Sequence, residues 1–207
     1  MEENFKKFHE RDFSWSQISS FTYSKEQWYK SYILGEKQVS EELTFGSMID
    51  KKIQDNPSFI PNLPRYPLMQ HKMKINLDGI NLVGIPDGID LQSQRKLLAD
   101  YKTGRVAWTQ KKAQETGQLK FYLLLIYITH KIRPEEFDCF IHWLPTKLEE
   151  GSDFSRNISL ISENEFQTFH VTHTLIDILN FANYIKDIYK EMENYIKDRT
   201  VDNLMLA

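Results

Sequence analysis

"GIPDGIDLQSQRKLLADYKTGR", residues 84–105, is the stretch on which the rest of the chain turns. Two short apolar segments each carry acid, and Asp100 is followed at once by Tyr101 and Lys102. "KLLADYK" reads as a strand ended by Thr103-Gly104, with "LQSQR" as the loop joining it to the strand before. Adjacent antiparallel strands of this kind can bring Asp87 and Asp100 together near one end of a sheet. Clustered carboxylates repel unless they are protonated or neutralised by a cation. Hard oxygen ligands of this type suit Mg²⁺ or Mn²⁺. Lys102 projects from the same strand face as Asp100, because side chains alternate with period two. A divalent cation beside a lysine is equipment for hydrolysing a phosphodiester. Asp-x-Lys alone is a weak signal, since it recurs at Asp50-Lys51-Lys52, and a solvated strand end stands as the other reading.

Outward from this stretch, the chain alternates between helical and strand periods. "LMQHKMKIN" and "INLVGIPDGIDL" flank Asp78-Gly79, a hairpin turn signal. "SWSQISSF" predicts a helix capped by Ser14, with Gln17 completing a capping box, although "SSFTYS" is weak enough to split it in two. Gly35 fits its stop. A second helix is expected from about Phe45 to Gln54, followed by a proline-rich connection. Residues 109–131 predict one long helix whose apolar second half suits burial against a sheet. Gln114, Gln118 and Tyr122 then form a polar i, i+4, i+8 row that must face something polar, solvent included. "FDCFIHWL" is a fourth strand and "FQTFHVTH" a fifth. A helix from about Thr174 to Arg199 closes the chain.

Length and composition bound the answer further. A chain of 207 residues at 41% hydrophobic and 27% charged has the material for one ordinary domain, taken as 1–207. The net charge of −3 means that any nucleic-acid contact must come from a local patch. The single cysteine, Cys139, excludes an internal disulfide and any thiolate-built cluster, and is expected inside a strand. "MEENFKKFHERDF" lacks a signal-peptide core, and the apolar run "FYLLLIYI" is far shorter than the ~20 residues that span a bilayer. A cytoplasmic protein, bacterial or in a phage-infected host, with no membrane contact is expected. Of the lesser candidates, Lys111, Lys112 and Lys120 form a better basic patch than Lys72 and Lys74, and Trp108 could stack on a base. Lys6, Lys7 and Arg11 read as a loose basic end.

The ordered set "GIPD" at 84–87, "DYKTG" at 100–104 and Gln118 to Tyr122 resembles the RecB-like branch of the PD-(D/E)xK nuclease superfamily. The resemblance extends to "FSWSQISSFTYSKEQWYKSYILG", similar to the family's Ser-rich opening helix, and to "FGSMID" at 45–50. It implies an α/β fold: a restriction-endonuclease-like mixed β-sheet flanked by helices, with N-terminal helices and a long C-terminal helix. It implies metal-dependent cleavage of DNA, as an exonuclease on DNA ends or single strands in recombination, repair or phage DNA metabolism, with a helicase or recombination partner. Carried over by residue, Asp87 and Asp100 would bind Mg²⁺ or Mn²⁺ with the Tyr101 backbone carbonyl, and Lys102 would be the catalytic lysine. Gln118 and Tyr122 would line the active site and the DNA path, with Trp108, Lys111 and Lys112 as DNA contacts. Asp50 stands where the family often has histidine and would serve as a metal ligand. The cysteines that hold an iron–sulfur cluster in several relatives are absent, so no cluster is expected. A degenerate nuclease fold acting as a DNA-binding or scaffold subunit is the alternative.

Overall fold

The computed structural model describes residues 2–36, 41–56, 58–150, 156–162 and 165–205. The expected hairpin forms, with β2 (Met73–Leu77) paired antiparallel to β3 (Ile80–Gly84). Asp78 and Gly79 both take positive φ, 49° and 93°. That is the primed turn whose twist matches the flanking strands, and Asp-Gly accepts it. This hairpin is a sheet of its own. The main sheet begins with β1 (Leu68–Met69), followed by β4 (Gly88–Asp90), β5 (Lys96–Gly104) and β6 (Phe137–Glu150), in that spatial order. "INLVGIPDGIDL" is therefore two strands rather than one, broken at Ile85-Pro86-Asp87, because proline cannot donate to a ladder.

β4 and β5 run antiparallel, with Gly88 opposite Ala99. β5 and β6 run parallel, with Lys96 opposite Phe137 and Gly104 opposite Pro145. The first half of β6 also pairs antiparallel with β8 (Gln167–Val171), and its second half with β7 (Arg156–Leu160). β7 was not anticipated from sequence. The parallel β5–β6 pair requires a crossover, which the expected long helix supplies in two pieces, α5 (Gln110–Glu115) and α6 (Gly117–His130).

Helices cover both faces of the sheet. On one side lie α6, the 31-residue α7 (Leu175–Met205) and the N-terminal helices α1 (Glu2–His9), α2 (Trp15–Tyr23) and α3 (Lys25–Trp28). A π-helical turn at Tyr29–Ile33 continues α3. α1 replaces the expected loose basic end, since Phe8 is fully buried against Phe13, Trp28 and Tyr189. Arg11 donates to the Tyr32 carbonyl instead of reaching for a phosphate. On the other side α4 (Glu41–Asp55) lays Ile49 and Ile53 on Ala99, Tyr101 and Leu144. α6 is buried from Phe121 to Ile126, which explains its apolar circumference. Leu98 packs on the α6 side and Ala99 on the α4 side, so Asp100 and Lys102 follow Leu98 toward α6. No helix of the described residues is long and apolar enough to cross a membrane.

Candidate active site

β5 carries two of the chemistry-bearing groups out of the core. Asp100 is 1% exposed, and its Oδ2 lies 2.7 Å from Lys102 Nζ in an ion pair. That oxygen has no well-aligned hydrogen bond to any group, so charge rather than directed bonding holds it. Period-two alternation brings the two side chains to one face, as the sequence implies.

Asp87 reaches the same strand from the neighbouring segment. Its Oδ2 accepts a 2.8 Å hydrogen bond from the Tyr101 backbone N–H, and its Oδ1 one of 2.6 Å from the Gln70 side-chain amide. Two glycines make this approach possible. A Cβ on Gly88 would fall 2.2 Å from Tyr66 Cδ2, and one on Gly84 would fall 3.1 Å from Tyr122 Cδ1. Asp90, the other acid of "GIPDGID", has a different task. It accepts from the backbone N–H groups of Gln92 and Ser93 and closes the turn into β5.

The expected single helix over 109–131 breaks at Thr116, which is extended at φ −60°, ψ 130°. The new helix start packs directly on the N-terminal region: the Trp15 ring occupies the space where a side chain at 117 would stand, so that a Cβ on Gly117 would meet Trp15 Cη2 at 2.1 Å. The break removes Gln114 from the polar row, and its amide donates to the Thr172 carbonyl instead. Gln118 and Tyr122 remain together on α6. Lys102 Nζ donates to Gln118 Oε1 at 2.6 Å, and Gln118 Nε2 donates to Asp100 Oδ1 at 2.7 Å and to the Tyr122 hydroxyl at 2.8 Å. An ammonium can only donate and a carboxylate can only accept, so the orientation of the Gln118 amide is dictated by its neighbours.

Charge is concentrated here at low solvation. Burial pushes the Asp87 carboxyl well above its usual range, and Asp100 and Asp50 add repulsion that the Tyr101 N–H and Lys102 only partly offset. Burial, then Asp100, raises Asp50 to about 6, while Lys102 draws it back. Desolvation pulls the Lys102 ammonium down, but Asp100, Asp87 and Asp50 outweigh it and leave the group above its ordinary value. Burial and Asp100 likewise keep the Tyr122 hydroxyl protonated. Among the described residues, no three His, Cys, Asp or Glu side chains close on one point, so Asp50 senses the pair without converging on it. The donor set nonetheless fits a hard divalent cation: mutually repelling carboxylates, with a buried Asp100 oxygen that lacks an aligned hydrogen bond.

The other expected site residues lie apart from this cluster. Trp108, Lys111 and Lys112 line a second depression of about 390 Å³ with Glu115 and Thr116. There Lys112 Nζ sits 4.4 Å over the Trp108 ring, and Lys111 pairs loosely with Glu115. Ser14 begins α2 but makes no capping bond; its hydroxyl meets that of Ser16, and Gln17 donates to the Asp12 carbonyl, so the expected capping box does not form. Cys139 is fully buried in β6. Two groups escaped sequence reasoning. Gln70, held at φ 52°, carries no motif that would single it out. His142 bridges Tyr66 and Thr168 behind Tyr101, and only the fold reveals that.

Comparison with known proteins adds a partial family match and a fold. Residues 61–136 match the model of the PD-(D/E)XK nuclease superfamily. The crystal structure of an Eubacterium rectale protein, named as a predicted exonuclease, superposes with a TM-score of 0.53 at 14% identity. It covers 88% of this chain and 81% of its own. The crystal structure of the protein SSO0001 gives a TM-score of 0.45 at 12% identity, over 90% of this chain and 84% of its own. No curated protein matches the sequence significantly. The mixed sheet, flanking helices and long C-terminal helix make this a restriction-endonuclease-like fold.

Proposed function

The chain carries the PD-(D/E)XK nuclease superfamily match through residues 61–136, and on that premise we propose that it is a Mg²⁺- or Mn²⁺-dependent deoxyribonuclease acting on DNA ends or single strands. The observation that carries this reading is Lys102 Nζ, shared between Asp100 Oδ2 and Gln118 Oε1 at the rim of a buried pair of acids. Asp87 and Asp100 would hold the cation with the Tyr101 carbonyl, and Asp50 would add charge from α4. A divalent cation there supplies Lewis acidity toward the phosphate and a more acidic attacking water.

The remaining work falls to the chain itself. Lys102, the cation paired with Asp100, orients that water and stabilises negative charge gathering on the phosphate oxygens. Gln118 fixes Lys102 against Asp100, so that the ammonium does not have to be ordered when substrate arrives. Tyr122, protonated and already accepting from Gln118, keeps its own proton available for a phosphate oxygen. Gln70 and the Tyr101 N–H hold both oxygens of Asp87 in place.

The test uses the purified chain with end-labelled and circular DNA, single- and double-stranded, in Mg²⁺, Mn²⁺ or EDTA. Cleavage of linear DNA that needs metal and disappears in Lys102→Ala is expected. Cleavage that survives Lys102→Ala removes the chemistry from this site, and DNA binding with no cleavage in either metal returns the chain to a scaffold role.

A further inference from the structure

A cavity of about 470 Å³ opens directly off Lys102, Gln118 and Tyr122, which form its floor. One wall is the end of β3, Val83-Gly84-Ile85, and the wall beside it is the start of α2, with Ser14, Trp15, Ser16 and Ser19. The two walls are held at a fixed distance. Phe13 bridges β3 next to Leu82, accepting from Val83 N at 2.8 Å and donating to the Asn81 carbonyl at 2.7 Å, so α2 must start beside Val83. Trp15 is clamped from behind by the bare backbone of Gly117.

The lining sorts into three chemistries. Among the described residues, Lys102 is the one charged group of the lining, and no carboxylate belongs to it. Trp15, Val83 and Ile85 give aromatic and aliphatic surface, with Ile85 left 42% exposed. Ser14, Ser16 and Ser19 offer hydroxyls along one edge. Cation, flat apolar wall and hydroxyl row are what a phosphate, a base and a sugar respectively require. The volume falls in the range of a small-ligand site, about 300–1,000 Å³. A base still stacked and paired in a duplex cannot enter a pocket of this kind, whereas an unpaired one can.

We infer that this cavity receives a single unpaired nucleotide adjacent to the phosphate being cut, so that the strand must be open at the point of cleavage. The inference rests on the nuclease reading for the position of the scissile phosphate, but the cavity's preference for an unpaired nucleotide can be measured without cleavage.

The experiment measures anisotropy of fluorescein-labelled dT8 and of a blunt-ended DNA hairpin with the full chain in EDTA. Wild-type protein should hold dT8 at least ~10-fold tighter than the hairpin, given what one stacked base contributes. Ile85→Trp and, independently, Ser16→Trp at an exposed position should plug the cavity, weakening dT8 by ~10-fold while leaving the hairpin unchanged. Should Ile85→Trp fail to fold, Ser16→Trp still decides. Plug-sensitive dT8 binding with no cleavage in Mg²⁺ or Mn²⁺ would sink the nuclease reading and keep the cavity. Lys102-dependent cleavage with dT8 binding unaltered in both plug variants would do the reverse. Tighter binding of the hairpin than of dT8 would also overturn the inference.

Discussion

Gln118 joins Lys102 to Asp100: its carbonyl oxygen accepts from Lys102 Nζ at 2.6 Å, and its amide nitrogen donates to Asp100 Oδ1 at 2.7 Å. Both partners are charged, and hydrogen bonds to charged groups contribute roughly 1.5–3 kcal/mol. Gln118→Ala should therefore lower cleavage by ~10–100-fold through misplacement of Lys102, a loss larger than its stability cost of roughly 1.5–3 kcal/mol explains. Leu123→Ala, on the same helix but 1% exposed, should instead cost ~2–5 kcal/mol of stability. Equal thermal shifts for the two variants, with no specific activity loss in Gln118→Ala, would leave Gln118 as a packing residue.

Lys102 and Asp100 form a pair that sequence alone undervalued. Strand-end groups are expected to contribute little to the core, yet Asp100 is 1% exposed. Removing Lys102 leaves a buried carboxylate uncompensated, a change that commonly costs ~3–5 kcal/mol. Lys102→Ala should lower both cleavage, by ~10²-fold or more, and metal-free stability. Adding Asp100→Asn to Lys102→Met should return much of the stability and none of the activity. A double variant as unstable as Lys102→Met alone would show that the pair's charge is not what the fold depends on.

Gly88 and Tyr66 test why the acid segment reads as it does. With a Cβ at Gly88 only 2.2 Å from Tyr66 Cδ2, Gly88→Ala must displace the ring or β4. Overpacking of this kind costs ~1–3 kcal/mol, and here it would also shift Asp87, the adjacent residue. Tyr66→Leu in the Gly88→Ala background should recover stability that the single variant loses, a coupling visible in urea midpoints. Additive effects would mean that the ring yields freely.

What the sequence disclosed and what it hid follow from the range of the interactions involved. The Asp78-Gly79 turn, the Asp100–Lys102 strand and the Gln118–Tyr122 spacing are local patterns, legible because their period or turn chemistry lies within a few residues. The break at Thr116 lies where Gly117 packs against Trp15, a contact distant in sequence, and the local signal in "QETGQ" did not outweigh the helical period. β1, with two residues, is too short for its alternation to register. Gln70 gains its role only because β1 pairs with β4 and brings it to Asp87.

His142 and His173 should make the fold acid-sensitive. Both are nearly inaccessible, at 1% and 3% exposure, and burial lowers each to about 4. For His173 the charge of Lys120 adds to that effect, and Asp177 opposes it. A depressed histidine contributes stability above its unfolded pKa of roughly 6.5, and that contribution is lost as pH falls toward the folded value. Between pH 6.5 and about 4 the unfolded chain binds more protons, so stability should drop by about 2 kcal/mol per histidine at pH 5. His142→Gln should flatten its share of the slope, at some cost at pH 7 through altered bonds to Tyr66 and Thr168. A urea midpoint independent of pH from 7 to 5 would contradict the buried neutral state.

Asp50 works in the opposite direction. Its carboxyl is raised to about 6 by burial first and Asp100 second, so the folded chain holds its proton more tightly than the unfolded one. Its contribution is present at low pH and is lost as pH rises from near 4 through about 6. At pH 8 the ionised group is a cost that Asp50→Asn removes, so the variant should be more stable in EDTA by about 1–2 kcal/mol, allowing for partial exposure. At pH 4 the folded group is protonated and the unfolded one about half so, and most of the gain should be gone; it should vanish only below pH ~3, where both states are protonated. A divalent cation at Asp87 and Asp100 reverses the balance, because the carboxylate that repels its neighbours attracts the ion. Asp50→Asn should therefore bind Mn²⁺ more weakly by calorimetry and gain less thermal stability from it than wild type. Asp50→His should keep partial activity with a shift toward Mn²⁺, imidazole being the softer ligand. If Mn²⁺ affinity is unchanged in Asp50→Asn while the metal-free gain appears, Asp50 is a buried acid near the site and takes no part in holding the ion.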